Sequence, residues 1–348
     1  MRSYSVRNFW LNFHVGYACR HSGACCTSGW PIPVEHDRVI PIQSLAARAD
    51  TSWLIADAHA PADVAGTLAV RANGECTFFR IPTPLRADAS AGQAGSAVPT
   101  SGALPSSAGC TVHPARPSSC SHFPFVCLID ARGVHVTLSH YCPTAASLLF
   151  DDTGPLGIVE GPPPVPGFAV PEGLDARDSL PPTFAEASAG RPNATKLRLM
   201  SWDEFTAWER AAIAEVPAPV SPAVSIDRFE CVRRSVPQPW SWPEAPPDFP
   251  QLWHTLAAAR WPEFAAVVGR YRAAKIFASW AAYQGDGHVA VIRLADLADA
   301  ALRVETVRQC LQAGRALDAE LLKQAVRRTD LLLVHYADGR VLSSGTAP

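Results

Sequence analysis

The chain has 348 residues, of which 48% are hydrophobic and 18% charged, and its formal net charge is −2. That balance supplies neither the basic footprint on which nonspecific nucleic-acid affinity depends nor an acidic tail, so nucleic acid is not an expected partner. The length is enough to bury a sizeable core and suggests about two domains.

The N-terminal run MRSYSVRNFWLNFHV carries Arg2 and Arg7, but Asn8, Asn12 and His14 break any apolar stretch of secretory-signal length, which predicts a cytoplasmic protein. No segment approaches the roughly 18 uninterrupted apolar residues of a membrane span, so no membrane is expected either. The longest candidates, around Phe264 to Val268 and Leu331 to Val334, are core-sized. A protein partner or protein substrate stays open.

Residues 1–150 are short apolar segments cut by Gly, Pro and Cys. Eight of the ten cysteines lie here, at Cys19, Cys25, Cys26, Cys76, Cys110, Cys120, Cys127 and Cys142. In a reducing compartment such a cluster reads as metal ligands rather than disulfides, because the thiolate binds soft and borderline metals. Gly133 to Leu138 alternates with period two after a turn-like Asp130 to Gly133, which predicts a hairpin strand. Residues 81–108 are small and Pro-punctuated, too poor in apolar surface to order themselves, and are expected to be a flexible insertion. Gly74-Glu75-Cys76 and Gly109-Cys110 flank that insertion like the arms of an expanded hairpin, which would bring Cys76 and Cys110 together.

Residues 151–195 are Pro-rich and predict a linker. Ser201 and Glu204 form a capping-box pattern, with Phe205, Trp208 and Ala212 at helical spacing, so a helix is expected to run from there to about Val216-Pro217. The Pro-dense stretch 237–250 is expected to lie extended with Trp240, Trp242 and Phe249 buried. Helices follow over Tyr271 to Tyr283, Leu294 to Leu302 and Ala316 to Val326, with Gly285-Asp286-Gly287 as a helix-ending turn. Residues 196–348 therefore read as an Ala-rich helical domain. The expected fold is mainly α, with a small irregular cysteine-rich metal module containing short β-hairpins.

Each chemical feature has a plainer alternative. Cys231 and Cys310, remote from the others, read as core thiols, and any single cysteine can be a small buried hydrophobe. His21, His36, His113, His122, His135 and His140 lie in or near the cluster and could ligate or exchange protons, although for each one a non-ligand role is the commoner case. Arg116 could neutralise thiolate charge or form a surface ion pair. Trp30 reads as a core anchor. Phosphate loops, nucleophile elbows and metalloprotease helices have no counterpart in the sequence, so no catalytic or nucleotide-binding residue is assigned. Zinc needs four N/S ligands and a four-iron cluster four thiolates, and the cysteine count permits one or two such sites. Consecutive side chains diverge in an extended chain, so Cys25 and Cys26 are not expected to face one zinc, which favours a larger cluster or two centres.

The ordered set Cys25-Cys26 to Gly29-Trp30, Gly74 to Phe78, and Gly109-Cys110 through Arg116-Pro117 to Cys120 and Phe123-Pro124 resembles the YkgJ-like cysteine-cluster family, described as zinc- or iron-chelating. The resemblance covers residues 13–148. Within that group the chain is also similar to flagellin lysine N-methylase, on Cys25-Cys26, Gly29-Trp30 and the Leu138 to Pro143 segment. The resemblance implies an iron-sulfur cluster or zinc held by Cys19, Cys25, Cys26, Cys76, Cys110, Cys120 and Cys142. Ser22 and Ser121 replace a Cys and an Arg of the family pattern, leaving Cys127, His21 or His122 as substitute ligands. The resemblance also implies, as one alternative, protein lysine N-methylation with S-adenosylmethionine as donor. A metal-stapled interaction module is another.

Overall fold

The computed structural model describes residues 7–46, 50–56, 60–80, 109–151, 154–165, 171, 173–187, 195–215, 221–238, 240–284 and 286–344. The insertion expected at 81–108 lies outside the described residues. Contacts divide the chain into two compact units, Cys19–Ser121 and a larger one made of Met1–Ala18 with His122–Pro348. The division thus falls at 121 rather than near 150. The reason is strand pairing: Asn8–Leu11 runs parallel to Gly133–Leu138, which ties the N-terminus and residues 122–150 to the larger unit.

The larger unit holds a five-stranded sheet in the order Leu174–Asp175, Phe125–Asp130, Gly133–Leu138, Asn8–Leu11, Ile158–Glu160. The expected hairpin is present, with Asp130 opposite Gly133 and the Arg132 backbone N–H donating to Asp130 Oδ1 at 2.8 Å across the turn. The Pro-rich stretch 151–195 is more than a linker. It supplies both edge strands of this sheet and, in Thr183–Ala187, half of a separate two-stranded ribbon. Edges accept such sequences because a missing Pro N–H there removes no ladder bond.

Helices make up most of the remainder, and the chain is mainly α with small mixed sheets. Trp202–Ala214 begins in the expected capping box, with Ser201 Oγ accepting from the Glu204 N–H and Glu204 accepting from the Ser201 N–H. Pro222–Arg234, Ala265–Ile276, His288–Ala313 and Ala319–Asp330 follow. The helix expected over Tyr271 to Tyr283 instead stops at Ile276. Phe277 is extended, Ala278 has φ +57°, and Trp280–Tyr283 is a 3-10 turn. Tertiary contacts override propensity there: Phe277 is fully buried, and the Ala278 N–H turns to the buried carboxylate of Glu209. Gly287 opens a helix rather than ending one, as the residue before His288–Ala313, which absorbs the predicted Leu294 to Leu302 segment. In the 237–250 stretch Trp242 and Phe249 are buried, but Trp240 is 39% exposed. Among the described residues no helix is long and apolar enough to cross a membrane.

The smaller unit is built from a three-stranded antiparallel sheet ordered Pro33–Glu35, Val64–Leu68, Leu54–Ile55, the helix His36–Ala46, and short turns. Phe79–Arg80 pairs antiparallel with Gly109–Cys110, placing Phe79 opposite Cys110. Its core contains Ile32, Val34, Ile42, Trp53, Phe78, Phe79 and Val112 together with two thiols, Cys26 and Cys76. Cys25, Cys110, Cys120 and Trp30 pack against that core from its margin.

Candidate metal centre

Three tight turns aim the cysteines of the smaller unit. The first is a 3-10 turn over Ala24–Cys26, entered through Gly23 at φ +74° and closed by the Cys26 N–H donating to the Gly23 carbonyl at 2.9 Å. The expectation that Cys25 and Cys26 do not face one zinc assumed an extended chain, and the chain here is a 3-10 turn. Such a turn advances about 120° per residue instead of the strand's 180°, so consecutive side chains diverge less. The second turn carries Cys76, whose N–H donates to the Cys26 carbonyl at 2.7 Å and whose carbonyl accepts from Phe79 at 3.0 Å. The third follows Cys110, whose strand pairing with Phe79 fixes it beside the second. Cys120 sits in the short helix Ser118–His122, whose first N–H is capped by Glu35 at 3.0 Å.

Cys26 is the hub. Its thiol lies near enough to those of Cys110, Cys25 and Cys76 to affect their ionisation, and having one proton it could donate to only one of them at a time. This proximity favours a proton on Cys26 and pushes its pKa far up, while it pulls Cys25, Cys76 and Cys110 down against the cost of burial. Cys76 falls to about 7, helped by backbone N–H groups aimed at its sulfur, that of Phe78 lying 3.5 Å away. Arg116 adds a positive charge that favours the Cys25 thiolate. Cys120 is pushed well up, first by burial and then by Cys25, Cys110 and Cys76. The five thiols therefore influence one another's ionisation, and any thiolates among them repel, a repulsion that a cation would relieve.

A second group of donors lies in the same unit. One ligand atom each from Cys19, His21 and His113 lies within 4.8 Å of the others. The two imidazole rings are 4.2 Å apart, and His21 holds a left-handed backbone at φ +52°, a conformation that costs a non-glycine residue energy. Burial, with Arg116 and His21 nearby, lowers the His113 pKa to about 4. Arg116 bonds His113 Nε2 at 2.6 Å and Ser121 Oγ at 3.2 Å, and it has no carboxylate partner among the described residues. Its charge thus faces imidazole and thiol.

The remaining sequence candidates fall elsewhere. Cys142 and Cys127 belong to an apolar core of the larger unit with Trp10, Ile129, Val134 and Leu138. Cys142 Sγ stands 3.6 Å from the Tyr17 hydroxyl, and burial pushes the Cys127 thiol up to about 12. Cys231 is half-buried in Pro222–Arg234, and Cys310 is buried in His288–Ala313. His36 starts a helix, His122 is buried in the larger unit, and His135 is buried with Nε2 3.1 Å from Asp130.

One buried polar network escaped the sequence reading. Asp330, fully buried, accepts from the His140 backbone N–H at 2.5 Å and from the Tyr271 hydroxyl at 2.8 Å, and pairs with Lys275 Nζ at 2.5 Å. His140 bridges onward, Nδ1 to Asp330 at 3.1 Å and Nε2 to His14 at 3.0 Å. Burial alone would raise the Asp330 carboxyl, yet Lys275 and His140 hold it well below the usual range. Every side chain in the network is buried, so its evident work is to pin elements of the larger unit together. The Leu-Ser-His-Tyr-Cys-Pro segment around His140 was a signal, but its partners lie too far along the chain to be read from it. Comparison with family models, curated proteins and solved structures finds no match for this chain.

Proposed function

We propose that residues 19–121 form a metal-binding module, with an iron-sulfur cluster or zinc held by thiolates drawn from Cys25, Cys26, Cys76, Cys110 and Cys120. The observation that carries this reading is the convergence of five cysteines from four chain segments on one core, with Cys26 and Cys76 inside it and Cys25, Cys110 and Cys120 packed against it. A thiol acting only as a small hydrophobe has no reason to gather with four others, and any of them held as a thiolate would be costly to bury without a cation. The donor set suits the metal classes, since thiolate sulfur serves both zinc and iron-sulfur centres. The backbone N–H groups directed at Cys76 would stabilise its charged form. When bound, a cluster would supply an electron-transfer or Lewis-acid centre and zinc a structural staple. The chain's own residues position the sulfurs and screen their charge, with Arg116 nearest. Cys19, His21 and His113 make an adjoining three-donor group. The motif order shared with YkgJ-like proteins and the expected cytoplasmic location support the same reading. Lysine methylation with S-adenosylmethionine is its enzymatic extension, read out by methyl transfer to a lysine-bearing protein.

The test is anaerobic purification followed by elemental analysis and visible absorption. Bound iron with broad absorption near about 400 nm identifies the cluster, and colourless protein with stoichiometric zinc identifies the other metal. Single Cys76→Ala, Cys110→Ala and Cys120→Ala variants should each lower both bound metal and melting temperature more than Cys231→Ala does, because metal-binding energy at such a site is folding energy. Wild-type metal content and melting in all three would overturn the proposal.

A further inference from the structure

The larger unit contains a cavity of about 780 Å³ walled by the helices Trp202–Ala214, Pro222–Arg234, Ala265–Ile276 and His288–Ala313. That is the size of pockets that enclose cofactors and metabolites, roughly 300–1,000 Å³. Ion pairs order its wall: Arg272 bonds Asp299 Oδ2 at 2.5 Å and Asp296 at 3.0 Å, and Arg228 bonds Asp296 at 3.0 Å.

One feature of this wall is charge. It carries four guanidiniums, from Arg228, Arg270, Arg272 and Arg303, against three carboxylates, from Glu215, Asp296 and Asp299, an excess of one positive charge. The other is Gly269, half-buried in the middle of Ala265–Ile276, where glycine weakens a helix. A Cβ at this position would meet nothing within 4 Å. No neighbouring chain requires the small residue, and what it does is keep the cavity wide. Apolar surface from Trp261, Val268 and Ile292 completes the wall.

We infer that this cavity is a binding site for a small organic anion with an apolar body, its anionic group facing the arginines and its body lying against Trp261, Val268 and Ile292. The site lies within the larger unit and is independent of the thiol cluster, so it stands or falls separately from the metal proposal.

Anilinonaphthalenesulfonate has both attributes and serves as the probe. Titrated into the full-length native protein, it should show one saturable site with enhanced fluorescence and raise the melting temperature. Gly269→Leu, which fills the cavity, should weaken binding at least tenfold without lowering the melting temperature of the free protein. Arg303→Gln should weaken the sulfonate about tenfold but leave N-phenylnaphthylamine, which lacks the sulfonate, unchanged. If Gly269→Leu loses its native circular dichroism, the decision passes to the Arg303→Gln comparison. Absence of a saturable site, wild-type affinity in a folded Gly269→Leu, or equal losses for both dyes in Arg303→Gln would each overturn the inference.

Discussion

Replacing Gly23 by Ala perturbs the thiol site without touching a sulfur. Gly23 has φ +74°, and a Cβ there would overlap the Phe79 ring, lying 2.9 Å from Cζ and 3.1 Å from Cδ2 with Cε2 closer still. Phe79 is 3% exposed and cannot swing aside freely, and its strand pairs with Cys110. The left-handed backbone costs alanine about 1–2 kcal/mol, and forcing extra volume against a packed ring costs about 1–3 kcal/mol more. The sum is about 2–5 kcal/mol. Gly74 provides the control: its φ is +81°, but a Cβ there meets nothing within 4 Å, so Gly74→Ala should carry only the backbone cost. At about 4–8 °C per kcal/mol for a unit of this size, Gly23→Ala should melt at least about 4 °C below Gly74→Ala. It should also hold less metal after anaerobic reconstitution, since displacing Phe79 displaces Cys110. Equal melting temperatures and equal metal content in the two variants would refute the argument that this turn sets the thiol geometry.

Burial lowers the His335 pKa to about 4, so the folded protein keeps this ring neutral while the unfolded chain protonates it below about 6.5. Its contribution is complete above about pH 6.5 and is lost as the pH falls toward 4, an effect of about 3 kcal/mol over that window. Urea unfolding of His335→Gln should accordingly show a flatter acid limb than wild type, and coincident limbs would show that the ring is not held neutral. Asp330→Asn strands Lys275 in the interior and should cost about 3–5 kcal/mol, and Asp330→Asn with Lys275→Met should recover most of it. A double variant as unstable as the single one would mean that the pairing is not what Asp330 contributes.

The readable parts of the chain were those whose cause is local. Ser201 and Glu204 announce their helix because both halves of the capping box lie within three residues. The turn at Asp130 to Gly133 gave its hairpin for the same reason, whereas the arm that pairs with Gly109–Cys110 is Phe79–Arg80, just past Cys76, which itself bridges to Val70. What escaped was set by distant partners. Phe277 breaks a helical pattern because Glu209, far away in sequence, accepts the next backbone N–H. The 3-10 turn that carries Cys25 and Cys26 is one that composition does not reveal. The Asp330 network and the cavity at Gly269 arise only where several helices meet, each of which reads as an ordinary amphipathic segment on its own.

The strand Asn8–Leu11 has a bearing on the order of events during synthesis. It is made first, but its partners Gly133–Leu138 and Ile158–Glu160 come more than a hundred residues later, after the whole of Cys19–Ser121 has emerged. The host sheet therefore cannot close until its guest is already outside the ribosome, and parallel pairing across so long an interval is slow to form. A module of about 100 residues with its own core has that interval in which to fold and, on the proposed function, to take up its metal before the flanking chain is complete. Metal supply at the time of translation, rather than afterwards, would then govern the yield of correctly assembled protein.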